Sequence, residues 1–350
     1  MPAKQPAIWF PTVRTGTGSD VFTERLAAGL REQGLRAEIT WLPPRAEYAP
    51  WTVAAPAIPA WATVCHINSW LPRRFVPRAV PTVVTVHHLV HDPVFRPFRS
   101  VAQAGYHNLV IRRRELRNIR SASAVTTVSS YVRKTVEVFS GRARIEVVPN
   151  WVDDRFAPAG SSEDAVRRPF RLFMAGSPSR RKGIDLLPRF AEMLGQGFEV
   201  RYAGSNRPIA PPGSGIIELG RISDEAMLRE YQACDAVVSL SRYEGFGYTA
   251  LEAISCGKPF LGFSTSGLSE VVDEGCARLV GNGDLAGLVE ACRTLASDGV
   301  LLQALSRHAS MRAVNFSARS AIASYRSIYR AAAAGRQAEG EMTTGKGVGH

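Results

Sequence analysis

Short runs of β-branched and aromatic residues recur along this chain, separated by longer stretches in which apolar positions return every three or four residues. That alternation is the rhythm of strands joined by crossover helices, and it predicts parallel sheets. In the first half the strand-like runs fall at residues 7–10, 37–42, 63–67, 82–87, 124–129 and 145–149. In the second half they fall at 170–176, 198–204, 216–220, 235–241 and 258–263. The expected class is α/β, built as two doubly wound halves. Between them, "NWVDDRFAPAGSSEDAVRRP" has the Pro, Gly, Ser and charge content of an exposed connector. We therefore expect domains at 1–157 and 158–332. From residue 333 the chain lacks the apolar content to pack and is expected to be a disordered tail.

Composition agrees with two cores, since 350 residues with 45% apolar content exceed the usual size of one. No apolar run approaches the ~20 residues of a membrane span, and "MPAKQPAIWF" is too short for a signal peptide, so a cytoplasmic location is expected. The five cysteines are scattered, without zinc-ligand spacing, and read as reduced, mostly buried thiols. The net charge of +12 is uneven: residues 1–157 hold 21 Lys and Arg against 11 Asp and Glu, the remainder 22 against 20. Nucleic acid would suit such a charge, but no binding module accompanies it and none is expected as a partner.

The stretch "SRYEGFGYTALEAISCGKPF", residues 241–260, carries the most specific chemistry. A strand ends before Arg242 and a helix begins in "TALEAISC", so Glu244, Gly245, Phe246 and Gly247 form a strand-to-helix turn, where ligands of doubly wound sheets bind. The two glycines let backbone approach a ligand and leave the first helical N–H groups open to an anion. Glu252 lies on the order of 8–12 Å from Glu244. That separation suits hydroxyls on two sugars flanking one diphosphate, although acidic residues near a helix start also serve the helix dipole. Upstream, "FMAGSPSRRKGIDLL" places Arg180, Arg181 and Lys182 after the strand that opens the second half. Such cations can neutralise a diphosphate, or form a solvated basic turn.

In the first half, Gly16 and Gly18 form a glycine loop before an amphipathic helix. It fails the G-x-G-x-x-G dinucleotide pattern because Val21 holds the last place, yet Glu38 stands where a ribose-binding acid would be sought. "TVVTVHHLVHDPVF" ends another strand with His87, His88, His91 and Asp92. One of these histidines could hydrogen-bond a reacting sugar; a metal cluster would need a second ligand set, and a merely polar loop is the plain alternative.

Together these stretches resemble the retaining glycosyltransferases of family 4, over about Ile8 to Tyr329. "EGFGYTALE" looks like the family's E-x7-E element, "RKGIDLL" its phosphate-binding Arg-Lys-Gly, "VVPNWVDDRFAP" its interdomain segment and "VVTVHHL" the strand ending in its active-site histidine. The resemblance implies the GT-B architecture, two Rossmann-like domains facing across a cleft, with the C-terminal helix returning to the first. It also implies that Glu252 holds the donor ribose, Glu244 a hydroxyl of the transferred sugar, and Arg181 and Lys182 the diphosphate. Gly16 and Gly18 would lie near the donor phosphates, Phe246 and Gly247 would offer backbone N–H groups, and His87 would take the active-site position, with His88 as the other choice. Trp151 replaces the usual glycine and is expected to change the hinge or add an aromatic surface, while Ser177 stands where many members carry arginine, leaving Arg180 as a substitute. His88, His91, Asp92 and Trp151 are placed on the acceptor side.

The implied activity is transfer of a hexose, first mannose, from a GDP- or UDP-linked donor with retention and without a metal or cofactor. The basic stretch "FRPFRSVAQAGYHNLVIRRRELRNIR" suggests docking on anionic lipid and a lipid-linked saccharide acceptor, at the inner face of the cytoplasmic membrane, in polysaccharide or glycolipid synthesis. An Arg-rich solvated helix is the plainer reading. Two rivals remain at this level: a nicotinamide-dependent oxidoreductase using Gly16, Gly18 and Glu38, and a non-catalytic relative that binds sugar nucleotide or glycan.

Overall fold

The computed structural model describes residues 5–159 and 169–344. Its strands are β1 (Ile8–Val13), β2 (Ala37–Leu42), β3 (Val64–Asn68), β4 (Thr82–Val86), β5 (Ala124–Thr127) and β6 (Glu146–Val147) in the first half. The second half holds β7 (Phe170–Ala175), β8 (Phe198–Ala203), β9 (Ile216–Gly220), β10 (Ala236–Ser239), β11 (Phe260–Phe263) and β12 (Ala277–Val280). They form two six-stranded sheets, ordered β2-β1-β3-β4-β5-β6 and β12-β11-β10-β7-β8-β9, and every pairing is parallel.

Strands β1, β3 and β4 are buried at every position, as expected of parallel strands covered by helices on both faces. Eleven of the strands coincide with the runs read from the sequence. The twelfth, β12, was not anticipated. It is an edge strand of four residues, Ala-Arg-Leu-Val, and the Arg278 guanidinium within it turns back onto the Glu274 and Ala277 carbonyls. One charged residue in so short a segment hides the strand pattern.

The chain divides into two compact units, one made of residues 1–150 and 318–350, the other of Trp151–Ser317. The C-terminal helix, Ala318–Thr344, therefore belongs to the first unit, as the family resemblance implies, and residues 318–332 pack there rather than with 158–317. It lies against the helix Gly18–Glu32, where Ile322 approaches Gly29 so closely that a Cβ there would come within 2.8 Å of it. Tyr325 and Tyr329 are fully buried beneath the first sheet. The helix continues to Thr344, so the tail expected from residue 333 begins in helical conformation; residues 345–350 lie outside the described residues. Ala331–Ala334 explain the continuation: a helix anchored by buried tyrosines extends readily through strong helix formers.

In the second unit, Leu172, Met174, Phe190, Tyr202, Val238 and Leu261 pack in one buried cluster under β7, β8, β10 and β11. All five cysteines are free thiols and buried. Among the described residues, no helix is long and apolar enough to cross a membrane.

Candidate active site

The site in the second unit is assembled at the carboxyl ends of β7 and β10, central neighbours in the sheet. After β7, Ser179 caps a single 3-10 turn, Arg180–Lys182, accepting the Lys182 N–H at 3.4 Å. Gly183 then takes φ 70°, and a Cβ there would run into the Leu240 carbonyl. Only glycine meets both conditions, so Gly183 fixes how tightly the basic turn lies against the end of β10.

That close approach brings Lys182 to Glu244. The ammonium nitrogen is 2.5 Å from Glu244 Oε1, and Arg181 Nη1 is 3.8 Å from Oε2 while donating to the Tyr243 carbonyl at 3.1 Å. The Glu244 side chain is 12% exposed. Burial pushes its carboxyl up, but the Lys182 ammonium and Arg181 guanidinium outweigh that effect and hold it below the ordinary value, hence ionised. The Glu244 carbonyl accepts the Gly267 N–H at 3.1 Å, tying the turn to the loop after β11.

Arg242, read from the sequence only as the end of a strand, holds this arrangement. Its guanidinium grips Asp185 with two bonds of 2.7 and 2.9 Å and reaches the Arg180 carbonyl at 2.6 Å. The Arg242 bond is also the main reason the Asp185 carboxyl titrates low. Arg180 itself is exposed, and among the described residues Arg181 and Lys182 are the cations at Glu244. No sequence spacing announces a clamp between residues 57 positions apart.

Gly247, at φ 108°, begins the helix Tyr248–Ser255, whose first turn has no side-chain cap. The start of a helix is where an anion finds main-chain donors. Phe246 is buried, its ring set edge-on to Phe316 at 5.9 Å, so its aromatic face supports the turn rather than a ligand. Glu252 lies one face along the helix and accepts from the Tyr231 hydroxyl at 2.7 Å, which fixes its carboxylate.

In the first unit, candidate residues gather at the carboxyl ends of β1 and β4. Gly16 adopts φ 68°, but its N–H donates to Asp20 Oδ2 at 2.7 Å, beside the Thr15 N–H at 2.8 Å. The loop is thus shaped by its own aspartate, and the donors left for an anion belong to the start of the helix at Gly18. Glu38 falls near the amino end of β2, paired with the exposed Arg36 at 2.8 Å. That is the end opposite to where a ribose-binding acid stands, so the oxidoreductase expectation loses its acid.

His87 follows β4 directly. Its ring meets Phe22 edge-on at 4.7 Å, and Nε2 is buried with no hydrogen-bond partner among the described residues. Burial lowers its pKa to about 4, leaving a neutral imidazole at pH 7. His88 is exposed, near Phe95. His91 stacks on Phe139 at 5.2 Å with Nε2 3.7 Å from the buried Glu115, and both Asp92 oxygens are taken, by the Val94 N–H and the Tyr131 hydroxyl, each at 2.8 Å. Both Asp92 oxygens are thus engaged in shaping the loop. Trp151 is 3% exposed, which corrects the expectation of an open aromatic surface: the indole is a core residue of its segment. Among the described residues no three His, Cys, Asp or Glu side chains gather as a metal centre.

Two adjacent glycosyltransferase family profiles match this chain: Glycosyltransferase Family 4 over residues 18–156 and Glycosyl transferases group 1 over residues 169–298. The chain belongs to the family 4 type of glycosyltransferases, and its fold is the two-domain GT-B fold. It is 32% identical over 205 residues to a D-inositol 3-phosphate glycosyltransferase of Catenulispora acidiphila, a match covering 52% of this chain and 48% of that protein. The chain thus matches about half the length of that relative. Among solved structures it resembles the sucrose-phosphate synthase of Thermosynechococcus elongatus, with a TM-score of 0.73, 17% identity and coverage of 92% and 98% of the two chains. Anabaena HepE in complex with UDP-glucose gives a TM-score of 0.68 at 16% identity, covering 91% of this chain and 99% of that one.

Proposed function

We propose that the protein transfers a hexose with retention of configuration, without a metal, from a nucleoside-diphosphate sugar to a saccharide acceptor. One observation carries the reading: Lys182 and Arg181 converge on Glu244 at the carboxyl edge of the second sheet. In this scheme Lys182, Arg181 and the start of the helix Tyr248–Ser255 bind the diphosphate and stabilise the charge that develops as it leaves. Glu244 then accepts from a hydroxyl of the transferred sugar, and Glu252, oriented by Tyr231, from the ribose. His87, whose unpartnered Nε2 belongs to a neutral ring, donates or accepts a hydrogen bond at the reacting sugar. The acceptor hydroxyl attacks from the face the diphosphate leaves and passes its proton to the departing phosphate oxygen. No side-chain nucleophile takes part, so catalysis is positioning and electrostatics.

The donor to test first is GDP-mannose, followed by UDP-glucose, the sugar nucleotide in the Anabaena HepE complex. Melting with nucleoside diphosphates and their sugar conjugates should single out one base, with a shift of a few degrees at 100 times Kd. Lys182→Ala should abolish that shift. A reduced nicotinamide stabilising the protein instead would reject the transferase, and binding of a sugar nucleotide without hydrolysis or transfer would make it a non-catalytic relative.

For the acceptor we propose a lipid-linked saccharide reached from an anionic membrane surface on the cytoplasmic side. Support comes from the helical segment following Arg96, where Val101 is 91% exposed and Leu109 65% exposed beside the exposed Arg112 and Arg113. Apolar side chains set in solvent next to cations suit an interfacial surface. Arg114 is not part of it, because it turns inward to the Glu47 carbonyl at 2.8 Å. Sedimentation with anionic but not with uncharged vesicles checks this, and equal behaviour with both rejects it.

A further inference from the structure

The first unit contains a cavity of about 1200 Å³ whose walls none of the chemistry above uses. It opens at the amino ends of β4, β5 and β6, beside Thr82, Ala124 and Glu146, whereas His87 follows the opposite end of β4. Five residues of strand at ~3.3 Å each place the two edges roughly 15 Å apart. The cavity is therefore distinct from the edge that carries Gly18 and His87.

Its lining is strongly basic. Arg73 and Arg78 come from the connection between β3 and β4, Arg117 from the helix Arg112–Ser121, and Arg142 and Arg144 from the segment before β6, with Glu146 the one carboxylate among the described residues of the lining. Among the described residues Arg73, Arg117, Arg142 and Arg144 form no ion pair with a carboxylate. Arg142 is instead pinned by main-chain carbonyls, Nη1 donating to Ile119 and Ala122 at 2.8 Å each. Carbonyls fix the position of a guanidinium without neutralising it. Arg117 donates to the Asn118 side-chain oxygen at 3.0 Å. Partial burial, and then repulsion from Arg73 and Arg114, push the Arg117 pKa down. Clustered like charges in a partly desolvated recess are held at a cost that a bound anion removes.

Behind the cations the wall is apolar, formed by Val125, Val147 and Ile328. We propose that this amino-edge cavity of the first unit is a binding site for a ligand bearing more than one phosphate charge, separate from the donor site. Guanidinium forks match phosphate oxygens in pairs, and an excess of cations spread over a recess this wide suits a di- or polyphosphate or a phosphorylated headgroup rather than a single carboxylate.

The test uses the full chain with Arg73→Gln/Arg144→Gln, two exposed positions whose loss leaves the fold intact, and a control of equal charge loss at the exposed Arg229→Gln/Arg319→Gln. Binding of inorganic tripolyphosphate is measured by calorimetry and binding to vesicles of cardiolipin, whose headgroup carries two phosphates, by sedimentation, both at low salt. Both pairs are made in a Lys182→Ala background, which removes a diphosphate-binding cation of the donor site; there the cavity pair should weaken one of these by about tenfold or more, as expected for losing two charge-assisted bonds, while the control pair leaves it unchanged. A loss in calorimetry identifies a soluble polyanion, and a loss confined to vesicles identifies a lipid headgroup; either supports the site. Equal weakening in the control pair or no change in the cavity pair overturns it.

Discussion

Lys182 and Gly183 are neighbours with different duties, and substitution separates them. Lys182→Ala removes a charge that acts on the departing diphosphate, so kcat should fall by 100-fold or more, about 3 kcal/mol, with the melting temperature little changed. A near-normal turnover would remove Lys182 from the chemistry. Gly183→Ala instead forces a side chain into the Leu240 carbonyl at a positive φ. It should lower stability and donor affinity together, read by melting and by the nucleotide-induced shift, because the basic turn can no longer close on β10. Arg181, Lys182, Glu244 and Glu252 stood out in the sequence as candidates because short motifs hold them. Arg242, Asp185 and Asp20 were not, since their roles depend on which loop folds against which. Asp20 was the nearest to legible, as an acid in the first turn of a helix after a glycine loop.

Among the elements, strand positions were the most legible, because apolar runs of five or six residues stand out against charged helices. β12 escaped because Arg278 interrupts its four residues, whereas β10 and β11, equally short, carry no charge. The C-terminal helix was expected to return to the first unit, and the structure supplies the reason: Tyr329 OH lies 2.5 Å from His66 Nδ1, and His66 Nε2 lies 2.7 Å from Thr85 Oγ1, which continues to Thr126 at 2.6 Å. A buried polar chain of this kind is stabilising only when every member has its partner. Tyr329→Phe should therefore destabilise the protein by about 1–3 kcal/mol, the range for leaving one buried polar atom unpaired. Denaturant unfolding measures it, and a change below a few tenths would show that the hydroxyl bond is dispensable.

For the whole molecule, the buried histidines set the response to acid. Burial, with His87 nearby, lowers His66 to about 3, and burial lowers His87 to about 4; His91 is also brought to about 4 by burial and the surrounding Arg99, His107, Arg112 and Arg96. Each is neutral in the folded chain but takes up a proton when unfolded below its ordinary value near 6.5. The unfolded state then binds more protons, so stability should fall as pH drops from about 6.5 toward 4. Thermal denaturation across that window checks the sign, and a flat profile would contradict it. Glu244, whose pKa is held below the ordinary carboxylate value, keeps its charge to lower pH than an unpaired glutamate would.

The docking of Tyr329 on His66 joins residues 263 positions apart. A ribosome releases the first six strands long before the residue that completes their packing exists. At roughly 5–20 residues per second, the nascent sheet waits on the order of ten to forty seconds after Asn150 for that helix to emerge. During that interval the second unit, contiguous in the chain, can fold first, and the amino-terminal segment is the one that relies on chaperones or on its own strand pairing.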